Sequence, residues 1–212
     1  MTGIVLYDYW RSSASYRVRI ALHVLGLAFE TVPIDLLALA HKDPDYLKIN
    51  PQGLVPTLRI GGRTLTQSLS IIEYLAETYP ESGFLPDTAV GRQRVRALSY
   101  AVAMDIHPIC NLSVVSHVAH LTGEEGARAE WMTKFIGSGL HAVEQMLDEP
   151  TTGRYTFGDT LTMADFCLVP QVYNARRWGI EMSAFPRVVR IVDACNALPA
   201  FKAAHPDAAK PI

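Results

Sequence analysis

The chain changes character once, near Gly91, and that change limits the folds open to it. Before it, short apolar runs alternate with helical ones. "IVLYDYW" opens with Ile4, Val5, Leu6 and Tyr7 in a row, which reads as a buried strand. "YWRSSASYRVRIAL" then carries Tyr16, Ile20, Ala21, Val24 and Leu25 at helical spacing, with Gly26 placed to end the helix. "FETVPID" reads as a second strand, and "DPDYLKIN" as a short helix stopping at the turn "NPQG". "VPTLRIGGRTLTQS" reads as a hairpin that turns at Gly61-Gly62. "SLSIIEYLAETYP" is a helix with Ile71, Ile72, Leu75 and Ala76 facing inward, stopped near Pro80. The order is therefore β-α-β-α-β-β-α over about the first 80 residues. "PESGFLPDTAVG" holds several breakers and no period, and reads as a linker. Beyond it only helical periods remain, over 90–120, 124–148, 162–178 and 184–197. Thr162, with Asp165 three residues on, forms a capping box before an apolar run. The expected organisation is an α/β domain over residues 1–82 and an all-helical domain over 90–212.

Composition narrows the class of partner. Of 212 residues, 49% are hydrophobic and 19% charged, the balance of an ordinary globular protein. The net charge of −2, with no sustained basic block, argues against nucleic acid. No apolar run reaches the roughly 18 residues that a membrane span needs. The start, "MTGIVLYDYW", lacks the basic stretch and long apolar run of a signal peptide. Cys110, Cys167 and Cys195 are odd in number and far apart, which speaks against a disulfide framework. They sit in apolar contexts and read as core residues, and a reducing cytoplasm is the expected compartment.

Three places invite a ligand. Arg11, Ser12, Ser13 and Ser15 crowd the start of the first helix, where unpaired N–H groups and a partial positive charge suit an anion. An over-supplied N-cap explains any one of these serines equally well. In "GLVPTL", Pro56 opens a strand, where its missing N–H need not join the ladder. A cis Val55–Pro56 bond would turn the backbone of Val55 outward for a peptide-like ligand, although most X–Pro bonds are trans. Gln67 and Ser68 precede the third helix, where a carboxylate could dock on the serine hydroxyl and N–H, or where Ser68 is simply a cap. Two helix starts and one exposed strand edge would together hold a short peptide with a carboxylate at one end and a thiolate at the other. His117 and His120 share a helix face but have no third ligand nearby, so a solvated face is the reading there.

The chain resembles the glutathione transferases, and "SSASYRVRIAL" resembles the signature of their zeta class, the maleylacetoacetate and maleylpyruvate isomerases. The likeness runs through "NPQGLVPTL", "QSLSIIEYLAETYP", "DIHPICNLSVV" and "FGDTLTMADFCLVPQVYNARRW". It implies a thioredoxin-like N-terminal domain that binds glutathione, a helical C-terminal domain, a cis Pro56 and a homodimer. Ser12 takes the position that hydrogen-bonds the glutathione sulfur, with Ser13 and Ser15 beside it. Val55 and Pro56 match the edge that pairs with the cysteinyl unit, and Gln67 and Ser68 match the γ-glutamyl site. His41 lies near a polar contact of the family, across a loop of variable length. His107, Asn111 and Ser113 in "HPICNLS" match positions lining the same site, so that glutathione is expected between the two domains. Without the resemblance, His107 reads as a cap before Pro108. Arg177, rather than Arg176, matches an arginine that reaches the active site.

One departure matters. Ala14 stands where the family's signature usually has cysteine, so no protein thiol can act there. Tyr16 stands where tryptophan is usual, a change expected to be absorbed by packing. The resemblance implies glutathione-dependent cis–trans isomerisation of a small unsaturated diketo acid, with Arg11 and Arg177 on the substrate carboxylates and the thiol borrowed from glutathione. A general conjugating transferase would want an open apolar second site instead. A non-catalytic interaction module would tolerate loss of Ser12 or of the Val55-Pro56 turn, and both are present.

Overall fold

The computed structural model describes residues 3–211, which divide into two compact units. The first, residues 1–84 with 197–212, is built on a four-stranded sheet of order β2-β1-β3-β4. β1 (Ile4–Asp8) runs parallel to β2 (Phe29–Pro33) and antiparallel to β3 (Thr57–Ile60), which forms a hairpin with β4 (Arg63–Thr66). Alternation along β1 sorts its side chains. Tyr7 joins Ile34, Tyr46 and Val55 on one face, while Leu6, on the other, is fully buried. The helices of this unit are α1 (Ser13–Val24), α2 (Pro44–Ile49) and α3 (Ser68–Thr78), with α1 packed on α3. The strand, helix and hairpin order read from periodicity is the observed one.

The unit closes through a buried arginine. Arg19 on α1 puts Nη1 within 2.7 and 2.8 Å of the two Asp8 carboxylate oxygens at the end of β1. Its Nη2 donates to the Trp10 carbonyl at 2.9 Å, and its Nε to the Ala204 carbonyl at 3.0 Å. Arg19 and Asp8 are each 2% exposed, so neither charge has water to fall back on. Burial raises the Asp8 carboxyl above its ordinary value, against the pull of Arg19. Ala204 ends α9 (Pro199–Ala204), which packs along α1 and is followed by α10 (Pro206–Ala209). The expected division at 82 and 90 gave all of 90–212 to the helical domain, whereas residues 197–212 belong with the sheet. Helical periodicity marks the apolar face of a segment but not the partner on which it packs.

The second unit, residues 85–196, is helical: α4 (Ala89–Tyr100), α5 (Leu112–Thr122), α6 (Ala127–Met146), α7 (Met163–Arg177) and α8 (Pro186–Asn196). The helix expected over 90–120 is broken. After Tyr100 the backbone widens into a π-helix over Ala101–Ile106, where the His107 N–H reaches the Val102 carbonyl at 3.0 Å. Gly139 on α6 makes room for it, since a Cβ there would lie 2.3 Å from Ile106 Cγ1. The Thr162–Asp165 box caps α7 as expected. Asp165 is fully buried and accepts the Thr156 N–H at 2.8 Å and the Thr162 N–H at 2.8 Å. Burial pushes its carboxyl up to about 6, against those hydrogen bonds.

Arg19→Met leaves Asp8 buried without its cation, and should lower stability in urea unfolding by about 3–5 kcal/mol. Adding Asp8→Leu should recover much of that loss. Asp165 tests the sign of a second buried charge. With a folded pKa near 6 and an ordinary value of 3.8, the folded state binds the proton more tightly. The stability of the protein relative to its Asp165→Asn variant should therefore fall as pH rises from about 4 to about 6, and level off above.

Candidate functional site

The turn after β1 carries the first group. The Ser12 N–H donates to the Tyr9 carbonyl at 2.8 Å, closing residues 9–12 into a tight turn that delivers Ser12 to the N-cap of α1. Ser12 Oγ accepts the Ser15 N–H at 3.2 Å. The hydroxyl therefore keeps its own proton for an anion, and accepting from a helix N–H makes it the better donor. Capping the helix thus leaves the hydroxyl able to donate. Arg11, half-buried, donates from Nη2 to the Tyr9 hydroxyl at 3.0 Å, with Cζ 4.7 Å from the Trp10 ring centroid. Ser13 and Ala14 are partly exposed on the first turn of α1. Ser15 is not: its side chain is fully buried, which takes it out of the expected set of ligand-facing serines. Three residues past the cap, Ser15 has turned to the sheet side of the helix.

The Val55–Pro56 bond is cis, with Val55 and Pro56 both buried. The segment is clamped on either side. The Tyr46 hydroxyl donates to the Leu54 carbonyl at 2.6 Å, and Asn50 Nδ2 to the same oxygen at 2.8 Å and to Thr57 Oγ1 at 3.2 Å. His41, half-buried, stands on a 3-10 turn over Ala40–Lys42. Its carbonyl lies 2.8 Å from where a Gly53 Cβ would be, which ties this turn to the Val55 segment. Burial, helped by Lys42, lowers the His41 pKa and favours the neutral ring at pH 7.

At the start of α3, Gln67 holds φ at +68° and donates from Nε2 to Gln52 Oε1 at 2.9 Å. Ser68 Oγ accepts from Arg17 Nη1 at 3.2 Å, and both side chains are buried. A cation behind the hydroxyl and a helix N-terminus beside it give this corner a strong positive field. Arg17, Gln52, Asn50 and Tyr46 were not singled out from the sequence. For Arg17 a signal existed. Arg17 and Arg19 lie about 200° apart around a helix, so one solvent-facing stripe cannot take both.

In the second unit, His107 follows the π-helix and Asn111 caps α5. Asn111 Oδ1 accepts the Val114 N–H at 3.0 Å and the Ser113 hydroxyl at 2.7 Å, while Nδ2 donates to the Pro108 carbonyl at 2.7 Å. Trp131 Nε1 donates to the Ile109 carbonyl at 2.9 Å and fixes the turn that bears them. Arg177, exposed, lies over the Tyr173 ring at 5.9 Å. Arg176 reaches toward Asp193 on α8 at 3.7 Å, as suits a residue of the outer face. The three cysteines are buried, with the Cys110 thiol pushed up to about 11 and that of Cys195 also raised by burial. Tyr16 is buried edge-on to the His205 ring at 6.1 Å and beneath Arg19 at 5.3 Å.

This arrangement has clear parallels. Residues 6–83 match the model of the glutathione S-transferase N-terminal domain, and residues 112–204 that of its C-terminal domain. The chain is 64% identical over 208 residues to a maleylacetoacetate isomerase of Rhizobium meliloti, covering 98% of each. It superposes, with a TM-score of 0.94 and 42% identity over 98% of both chains, on the holo structure of a bacterial zeta-class maleylpyruvate isomerase. A maleylacetoacetate isomerase from Methylobacterium extorquens AM1, solved with malonate and glutathione bound, superposes with a TM-score of 0.93 at 39% identity over 98% of both chains. The chain belongs to the glutathione S-transferase family and, within it, to the zeta class.

Burial of all three thiols, with raised pKa values at Cys110 and Cys195, makes the protein's own thiols inert. A thiol-labelling reagent at pH 8 should react slowly with the native protein and rapidly with all three cysteines after denaturation. Fast labelling of the native state would contradict the buried placement.

Proposed function

We propose that the protein is a glutathione-dependent cis–trans isomerase of maleylacetoacetate or maleylpyruvate type. The observation that carries this reading is Ser12, capping α1 with its hydroxyl proton free, in a chain 64% identical to a maleylacetoacetate isomerase. Glutathione fits the residues present. A donor at Ser12 suits its sulfur, the Val55 edge its peptide backbone, and the Gln67-Ser68 corner backed by Arg17 its γ-glutamyl carboxylate. Ser13, His41, His107, Asn111 and Ser113 complete the proposed polar lining.

When bound, glutathione supplies a thiolate that adds reversibly to the conjugated double bond, which becomes a single bond free to rotate. Ser12 and the N-terminus of α1 stabilise the thiolate, so that it is formed at neutral pH. Arg11 and Arg177 hold the substrate's carboxylates and offset negative charge that develops on the carbonyl oxygens. With Ala14 in the signature and every cysteine buried, the nucleophile is not a residue of the chain. The inferred state is a cytoplasmic homodimer. Free, buried thiols suit a reducing compartment, and Val90 at 80% and Met104 at 59% exposure offer apolar surface for a second copy.

Assays with maleylacetoacetate and maleylpyruvate, with and without glutathione, test the reading directly; no activity on either would sink it. Ser12→Ala should lower turnover of every substrate. Arg177→Ala should cost about ten- to a hundredfold in kcat/KM for the diketo acid while sparing a neutral electrophile. Arg176→Ala should change little. Equal losses on acidic and neutral substrates would assign Arg177 to the fold instead.

A further inference from the structure

Beside the Tyr9–Ser12 turn lies a cavity of about 380 Å³, wholly within the first unit. The turn forms one wall, the loop Pro33–Leu37 a second, and Ala209 and Pro211 of the C-terminal tail a third. Its lining is largely apolar and includes Pro33, Ile34, Leu37 and Pro211 along with Trp10 and Arg11; Lys210 stands at its edge, between the lining residues Ala209 and Pro211. What sets it apart is the charge at its edge. Two cations attend one indole: Arg11 Cζ lies 4.7 Å and Lys210 Nζ 5.5 Å from the Trp10 ring centroid. Among the described residues, neither cation has a carboxylate within 4.0 Å.

The acids nearby are already committed. Asp8 is bound by Arg19. Asp35 turns its carboxylate into its own loop, where Oδ1 accepts the Leu37 N–H at 2.8 Å and the Ala38 N–H at 3.3 Å. The tail is anchored as well, because Arg19 holds the Ala204 carbonyl and the His205 ring packs on Tyr16. Lys210 follows this anchored segment, exposed and against the Trp10 ring, and Ser12 is the next residue after Arg11 in the same turn.

Resting on the proposed isomerase reading, we propose that this cavity is a subsite for the far carboxylate of a dicarboxylic diketo acid, with Lys210 as its second cation. Such a substrate carries one carboxylate beside the reacting double bond and another at the end of a flexible diketo chain. The apolar walls take the chain, Arg11 and Lys210 take the terminal anion, and the Trp10 ring attracts both cations by cation–π contact. The subsite selects for chain length and for a terminal charge, neither of which the thiolate chemistry itself requires.

The test measures kcat/KM for three substrates with the wild-type enzyme and with Lys210→Ala and Lys210→Arg. The substrates are the dicarboxylic diketo acid, its analogue ending in a methyl ketone, and a neutral electrophile for conjugation. Lys210→Ala should lose about tenfold on the diacid, mostly in KM, and little on the other two. Lys210→Arg should restore most of the loss, because the charge is kept. Equal losses on all three substrates, or no loss on the diacid, would overturn the subsite. A wild-type enzyme that conjugates but isomerises neither acid would instead overturn the reading on which the subsite rests.

Discussion

The buried pair of Arg19 and Asp8 is the contact from which the first unit is assembled. One guanidinium joins the end of β1, the carbonyl of Trp10 and the last residue of α9. Such a pair costs desolvation on both sides and returns it only through near-complete hydrogen bonding, which this geometry provides. Three consequences follow. The helix is locked to its neighbouring strand, the turn carrying Arg11 and Ser12 starts from a fixed point, and the C-terminal segment is recruited to a sheet nearly two hundred residues away in the chain.

The two proposed anion sites of this unit use helix starts in the same way. At each, a serine hydroxyl accepts a hydrogen bond from inside the protein and so keeps its proton for a ligand. For Ser12 the internal donor is a backbone N–H of α1; for Ser68 it is the buried guanidinium of Arg17. The second is the stronger arrangement, since the donor is charged and shielded from water. A carboxylate suits it better than a neutral group would, whereas a thiolate, softer and larger, needs no more than the first.

Replacing the family's signature cysteine by Ala14 leaves this architecture untouched, because the position lies on the first turn of α1 and none of the hydrogen bonds described above uses its side chain. Tyr16 in place of tryptophan is likewise absorbed, against His205 and Arg19. The fold thereby separates two tasks. In the proposed reading, helix ends and buried cations prepare a place for an external thiol, while the chain's own thiols stay in the core.

Much of this was legible in the chain itself. The β-α-β-α-β-β-α order, the turn at Gly61-Gly62 and the Thr162–Asp165 cap rest on local rules of period and capping, and each is where those rules put it. The cis bond before Pro56 was expected from resemblance rather than from spacing. What local rules could not supply were partners. Ser15 reads like its neighbours but turns inward, and the helix expected over 90–120 breaks at a π-turn seated on Gly139. Arg17 meets Ser68 across 51 residues and Arg19 meets Ala204 across 185. The sequence by itself determined the order of strands and helices, because backbone propensity and apolar period act within a few residues. Only the tertiary structure decided which buried charge answers which, because burial and hydrogen-bond satisfaction depend on surfaces that meet when the chain is folded.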